Sequence, residues 1–296
     1  MGYGSYSYEA HQAITQERAK LPTQQVFNQR KLDPRMDPLG VAYRESRDSD
    51  DHPNTISVVF ALDVSGSMGA IPEQIARKEL PHFMKALLDA GVADPQVLFM
   101  AFQDCTGGVA PLQVGQFEST AELMDQWLTR CWLMGGGSSA FESYDLALYF
   151  AAHHTRLDSF EKRNKKGYLF MTGDEPCFPS LKAEWVKRFV GDELPRNVPL
   201  ATVVADVQKL YHTFFVVPDA DRGKRVASFW REHLGDNTIV LATPEDTCLV
   251  SAGIIALSEG LVPSVEALGQ RLAADGVPGG RVARVLGALE GWAAAR

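Results

Sequence analysis

The fold is decided by the stretch Ile56-Ser57-Val58-Val59-Phe60-Ala61-Leu62-Asp63-Val64-Ser65-Gly66-Ser67-Met68. Its first part, residues 56–62, is a mostly apolar run of strand length, which is typical of a strand buried on both faces in a parallel sheet. The run stops at an aspartate, and two serines follow at alternate positions with a glycine between them. We therefore expect three oxygen-bearing side chains at the carboxyl end of this strand, the edge at which open α/β sheets bind ligands.

Strands and helices alternate along the rest of the chain. Strands are predicted at 56–62, 96–102, 111–115, 167–172, 212–217 and 238–242, and helices at 72–89, 119–129, 140–154, 180–190, 200–210, 222–234 and 244–258. This alternation predicts an α/β fold with a doubly wound, mainly parallel sheet and helices on both faces. The weak strand at 111–115 begins with a proline, so we expect it to be the one antiparallel edge strand.

Two flanking segments lie outside this alternating region of residues 55–260. Residues 1–54 lack sustained periodicity and predict an extended arm, with a short helix over 9–20, that either wraps the domain or is partly disordered. Residues 261–296 predict a helical tail whose part at 281–295 is amphipathic. We expect the tail to pack on the core, with partner binding as the alternative.

Composition excludes several classes of function. The 296 residues are 45% hydrophobic, so the chain can bury a sizeable core. The net charge of −8 argues against broad binding to nucleic acid or to an anionic membrane. No apolar stretch approaches the roughly 20 residues that span a bilayer, and no signal peptide is visible, so a cytoplasmic location is expected. The four cysteines lack CxxC and zinc spacing, which indicates reduced, mostly buried thiols.

Three loops are expected to meet at the carboxyl edge of the sheet. The first follows Asp63, the second is the glycine-rich Gly135–Ser139, and the third is Thr172-Gly173-Asp174-Glu175-Pro176. Carboxylates and hydroxyls are hard oxygen ligands, suited to Mg²⁺ or to Mn²⁺ in its place. A site with two or three protein ligands leaves positions that an Asp or Glu of a partner protein can fill. Without a cation, Asp63 and Asp174 would repel each other.

The segment Asp63-Val64-Ser65-Gly66-Ser67-Met68 resembles the DxSxS signature of von Willebrand factor A (VWA) domains, whose metal-ion-dependent adhesion site has this architecture. The resemblance extends over roughly residues 55–258 and implies a VWA, Rossmann-like fold. The second loop of that family usually offers a threonine, or an acidic residue in glycine-rich variants; this chain has two serines there. The third loop is commonly Thr-Asp-Gly, whereas here it reads Thr172-Gly173-Asp174, so the carboxylate is displaced by one residue. The implied metal ligands are Asp63, Ser65, Ser67, either Ser138 or Ser139, and Asp174, which binds directly or through water.

The resemblance also implies a role. It indicates a non-enzymatic, cytosolic protein that binds a partner's Asp or Glu through Mg²⁺, with no nucleic acid and no membrane involved. Small chains of this kind are associated with MoxR-type AAA+ ATPases, so an adaptor or assembly factor beside such an ATPase is expected.

Two other interpretations stay open. An aspartate that ends a first parallel strand also occurs in Mg²⁺-dependent phosphohydrolases, but these usually carry a second aspartate two residues later, where this chain has Ser65. In a metal-free, structural VWA domain, Asp63 would cap the following turn and the arm and tail would be the interaction surfaces. Glu142 and Asp145 line the rim of the site or lie on a solvated helix face. The basic run Lys162–Lys166 is expected to be a solvated loop.

Overall fold

A six-stranded sheet lies at the centre of the molecule. The computed structural model of the chain describes residues 4, 6–75, 79–92, 94–107, 109–135 and 139–296. The strands are β1 (Arg44–Ser46), β2 (Thr55–Asp63), β3 (Asp94–Phe102), β4 (Leu112–Val114), β5 (Thr155–Leu157), β6 (Gly167–Thr172), β7 (Ser180–Leu181), β8 (Val198–Pro199), β9 (Tyr211–Val217) and β10 (Thr238–Val240). The central sheet has the order β10-β9-β6-β2-β3-β4, in which neighbouring strands are parallel except for the antiparallel edge strand β4.

Helices cover both faces of this sheet. They are α1 (Tyr8–Ala19), α2 (Thr23–Val26), α3 (Ile71–Gln74), α4 (Leu80–Ala90), α5 (Ala121–Thr129), α6 (Tyr144–His153), α7 (Asp158–Arg163), α8 (Ala183–Phe189), α9 (Leu200–Leu210), α10 (Ala220–Leu234), α11 (Thr247–Ser258), α12 (Val265–Ala274) and α13 (Gly279–Ala294). Alternate residues of β2 enter two different cores. Phe60 packs in the core that includes α4, α11 and α13. Val59 and Ala61 pack in the core that includes α6, α9 and α10. The doubly wound α/β fold with one antiparallel edge strand is thus confirmed.

The strand order places a switch point beside β2. From β2 the chain moves to β3 on one side, and it later returns to β6 on the other side. Such a reversal opens a crevice at the carboxyl ends of the two strands. Leu62 pairs with Thr172 across β2 and β6, so Asp63 and the loop after Thr172 emerge together at this crevice.

Three predicted helices have different bounds. The helix predicted at 72–89 is described as α3 and α4, and the one predicted at 180–190 begins with β7 instead. The helix predicted at 140–154 begins only at Tyr144, because Glu142 forms a parallel bridge with Cys177. A tertiary contact overrides helix propensity at this position.

The N-terminal arm is packed against the domain. Strand β1 pairs with β5, and Ser46 lies in a buried chain of hydrogen bonds. Its hydroxyl donates to Gln96 Oε1 at 2.8 Å and accepts from the Ser57 hydroxyl at 2.8 Å. Asp48 is an ion-pair partner of Arg163, which lies in the basic run that the sequence predicts as a solvated loop. The arm therefore supplies buried polar partners to β2 and β3.

The C-terminal tail packs on the core, as expected. Trp292 is buried against Phe214 and donates to Asn237 Oδ1 at 3.1 Å. Arg281 and Arg284 both bind the buried carboxylate of Asp246. In the described part of the chain, every helix is too short or too polar to traverse a lipid bilayer.

Candidate functional site

The first loop orders its oxygens by folding back on itself. Asp63 ends β2 with its side chain fully buried, and its Oδ1 accepts a hydrogen bond from the Ser65 backbone N–H at 2.8 Å. A 3₁₀ turn over Gly66–Met68 follows, fixed by the buried Met68 side chain. The turn places the Ser65 and Ser67 hydroxyl oxygens 3.0 Å apart. The three predicted residues of this loop therefore lie together.

The third loop joins this arrangement through Asp174. The Ser67 hydroxyl donates to Asp174 Oδ1 at 2.8 Å, and the Asp174 side chain is buried. Gly173, where the VWA pattern commonly has aspartate, lies against the Tyr144 ring. A Cβ at Gly173 would be only 2.0 Å from the Tyr144 hydroxyl oxygen. The tyrosine ring therefore excludes any side chain at position 173, which is a physical reason for the displaced carboxylate.

Tyr144 also links α6 to the first loop. Its hydroxyl donates to Asp63 Oδ2 at 3.1 Å and accepts from the Glu175 backbone N–H at 3.4 Å. Both oxygens of Asp63 thus have a hydrogen-bond donor. The side chain is held in one orientation, which a preorganised site requires.

The second loop places its serines differently. Ser138 lies outside the described residues. Ser139 is exposed, and its hydroxyl exchanges hydrogen bonds with the backbone of Phe141, at 3.1 Å from the N–H and 2.7 Å to the carbonyl. The hydrogen bonds described for the Ser139 hydroxyl are thus to Phe141 and join it to none of Asp63, Ser65, Ser67 and Asp174.

Glu142 is the acidic residue that this loop turns inward. It is only 3% exposed, and its backbone N–H donates to the Pro176 carbonyl at 3.1 Å, which ties it to the third loop. Its Oε2 has no hydrogen-bond partner among the described residues. Asp145 is also buried, and its Oδ2 has no hydrogen-bond partner in the described part of the chain. A solvated helix face is therefore wrong for both residues.

The site is strongly acidic. Burial raises the pKa of the Asp63 carboxyl to about 7, and the charge of Asp174 adds to the shift, against hydrogen bonds from Ser65 and Tyr144. Burial raises the pKa of Glu142 to about 9, and the next contributors are the charges of Asp63, Asp104, Glu175 and Asp174. The donors of the site thus do not stabilise all of its carboxyl groups in the ionised form, and a bound cation would favour that form.

An arginine from α10 enters the site. Arg222 Nε donates to Asp174 Oδ2 at 2.9 Å, and Arg222 Nη2 donates to the Ser67 carbonyl at 2.7 Å. Its side chain is 25% exposed. Sequence reasoning missed this residue. Its position in the first helical turn after a predicted strand was the available signal, because such a turn lies at the carboxyl edge of the sheet, where ligands bind.

The donor set fits a small hard cation. Adjacent ligands of an octahedral Mg²⁺ at about 2.0–2.1 Å lie about 2.9 Å apart. The oxygens of Ser65 and Ser67, and of Ser67 and Asp174, are separated by 3.0 and 2.8 Å. Among the described residues, no group of three or more His, Cys, Asp or Glu is arranged to hold a metal ion, so a cation here would depend on the hydroxyls. The residues that could hold it are Asp63, Ser65, Ser67 and Asp174.

No family model and no curated protein matches this sequence. Solved structures do match. The pilus adhesin SpaC from Lactobacillus rhamnosus GG, in its open conformation, is 11% identical with a TM-score of 0.47, over 73% of this chain and 31% of that chain. The vWF domain of the type V pili tip protein Mfa5 from Porphyromonas gingivalis is 10% identical with a TM-score of 0.46, over 70% and 96%.

A von Willebrand factor type A structure from Catenulispora acidiphila is 16% identical with a TM-score of 0.41, over 70% of this chain and 43% of that chain. The match to SpaC spans about a third of the adhesin. At these identities the likeness is one of fold. Two of these three solved structures carry the name of the von Willebrand factor A domain.

Proposed function

We propose that this chain is a VWA-type protein-binding domain that recognises an acidic side chain of a partner protein through a divalent cation. The observation that carries the proposal is the continuous set of oxygens from Asp63 through Ser65 and Ser67 to Asp174 at the switch point of the sheet. The cation, Mg²⁺ or Mn²⁺, would supply positive charge at this edge when bound. The chain's own oxygen atoms would fix the position of the cation.

The roles of the residues follow from their contacts. The Ser65 backbone and the Tyr144 hydroxyl fix the buried Asp63 carboxylate. Ser67 is exposed, so solvent reaches the site at this residue. A few protein oxygens do not complete an octahedron, and a carboxylate from another protein is a suitable further ligand.

The role proposed here is non-catalytic. A phosphohydrolase of the aspartyl type would need an acid or base two residues after its nucleophile, and Ser65 occupies that position. The AAA+ ATPase partner and the cytoplasmic location remain predictions from the sequence resemblance.

A metal-free structural domain is the second candidate, and Arg222 favours it. Its guanidinium already supplies a positive charge to Asp174 and joins the first loop to the third without a metal. In that case the N-terminal arm and the C-terminal tail would be the interaction surfaces, and chelators would have no effect on the protein.

Binding of Mn²⁺ separates the two candidates. Electron paramagnetic resonance of free Mn²⁺ gives the dissociation constant for the wild type and for Ser67→Ala. We expect Ser67→Ala to weaken binding at least about tenfold, because one ligand oxygen is lost. Ser119→Ala is the matched control, since this buried hydroxyl has no hydrogen-bond partner among the described residues. We also expect sodium acetate, a minimal carboxylate ligand, to tighten Mn²⁺ binding by the wild type. Equal affinities of the wild type and Ser67→Ala would refute a cation at this position.

A further inference from the structure

Arg222 connects two loops of the candidate centre. Its Nε donates to Asp174 Oδ2 and its Nη2 donates to the Ser67 carbonyl, so a single guanidinium bridges the third loop and the first. The other oxygen of the same carboxylate, Asp174 Oδ1, accepts from the Ser67 hydroxyl. Arg222 is therefore in direct contact with the backbone of Ser67 and with the Asp174 carboxylate, whose other oxygen is proposed to hold the cation.

The arginine is held in this position by its own helix. Asp219 caps α10 by accepting the Arg222 backbone N–H at 2.9 Å, and its second oxygen accepts from Arg222 Nη1. The side chain thus makes charged hydrogen bonds from Nε, Nη1 and Nη2. A planar guanidinium with fixed partners on three nitrogens has little freedom to swing away.

We propose that Arg222 is the internal counter-ion of this centre and that it competes with a divalent cation for Asp174. This inference rests on the proposed function. A cation bound through Asp174 Oδ1 would share one carboxylate with the guanidinium. Two positive charges on one buried carboxylate repel each other, and this repulsion is strong where water is largely excluded. Arg222 therefore sets the affinity of the centre for metal below the value that its oxygens alone would give.

Arg225 provides a natural comparison. Its Nη2 lies 3.7 Å from the same Asp174 Oδ2, one helical turn further along α10. Its side chain is 60% exposed, whereas that of Arg222 is 25% exposed. Solvent screens an exposed charge, so removing Arg225 should change the metal affinity far less than removing Arg222.

Titration calorimetry with Mn²⁺ tests the inference on full-length wild type, Arg222→Gln and Arg225→Gln. We expect Arg222→Gln to bind Mn²⁺ at least about tenfold more tightly than the wild type, and Arg225→Gln to stay within about twofold of it. Arg222→Lys keeps the charge without the planar fork, so it should bind about threefold more tightly than the wild type. Wild-type affinity, or weaker binding, in both Arg222 variants overturns the inference.

Thermal melting gives a second readout, which is independent of the calorimetric titration with Mn²⁺. Without metal, Arg222→Gln should melt at a lower temperature than the wild type, because the buried Asp174 carboxylate loses a charged partner. Saturating Mn²⁺ should raise the melting temperature of Arg222→Gln by more than that of the wild type. An equal rise in both proteins counts against competition. If Arg222→Gln fails to fold, Arg222→Lys carries both measurements.

The failures of the two proposals have different signatures. If no protein binds Mn²⁺, Arg222→Gln included, the centre holds no cation and both proposals fall. If the wild type and Arg222→Gln bind Mn²⁺ equally well, the metal centre stands and only the role of Arg222 is wrong.

Discussion

Replacing Glu142 with glutamine tests the electrostatic description of the site without removing a proposed ligand. Glu142 is almost fully buried, and its Oε2 has no hydrogen-bond partner among the described residues. The negative charges of four other carboxylates also disfavour its ionised form. These effects raise the pKa of Glu142 to about 9, from an ordinary value of 4.5. Glutamine has nearly the same shape as a protonated glutamate and carries no charge, so Glu142→Gln removes the titration alone.

The sign follows from proton linkage. Between pH 4.5 and 9 the folded protein keeps a proton on Glu142 that the unfolded chain releases, so this residue lowers the free energy of unfolding progressively as the pH rises. Between these two pKa values, each pH unit lowers the free energy of unfolding by about 1.4 kcal/mol. At pH 7, about 2.5 units above the ordinary value, Glu142→Gln should therefore be more stable than the wild type by about 3 kcal/mol.

Urea unfolding followed by circular dichroism, with EDTA present, measures this difference at pH 4.5, 7 and 8.5. The free energies of unfolding of the two proteins should be nearly equal at pH 4.5, and their difference should grow at higher pH. Glu193→Gln is the control, because Glu193 is exposed and paired with Lys187 and should show no gain that grows with pH. Saturating Mg²⁺ should reduce the gain from Glu142→Gln, since a nearby cation stabilises the carboxylate. A constant difference across this pH range would refute the reasoning.

Three further substitutions test the packing of the site and of the C-terminal tail. Gly173→Ala would place a Cβ 2.0 Å from the Tyr144 hydroxyl oxygen, so we expect a melting temperature lower by several degrees and a loss of Mn²⁺ binding. The control is Gly287→Ala on α13, where the added Cβ meets open space, and this variant should be as stable as the wild type or more stable. Tyr144→Phe removes a donor to Asp63, so urea unfolding should show a loss of about 1 kcal/mol and a ¹³C NMR titration a further rise in the Asp63 pKa. Trp292→Ala should cost about 3–5 kcal/mol in urea unfolding if the tail is part of the core, and an unchanged midpoint would show that it is not.

The sequence could predict the elements that follow a strong local pattern. The apolar run that ends at Asp63 forms β2, and the alternation of strands and helices leads to the parallel sheet that brings Asp174 to the same edge. Parallel strands share one carboxyl edge, so two loops that follow neighbouring strands must meet there. The meeting of Asp63, Ser67 and Asp174 is therefore a consequence of topology.

Other parts of the site depend on contacts that the sequence does not encode locally. Arg222 reaches Asp174 only because β9 lies beside β6, an order that no single segment specifies. The inward turn of Glu142 depends on its pairing with the segment at Pro176, far along the chain. The glycine at position 173 is explained only by the ring of Tyr144.

The most direct test of the cation site is a crystal structure grown with Mn²⁺ and measured at the manganese absorption edge. With a cation bound at this site, we expect one anomalous peak at about 2.2 Å from the hydroxyl oxygens of Ser65 and Ser67, between Asp63 and Asp174. An anomalous map without a peak there, with Arg222 still bonded to Asp174 at millimolar Mn²⁺, would contradict this expectation.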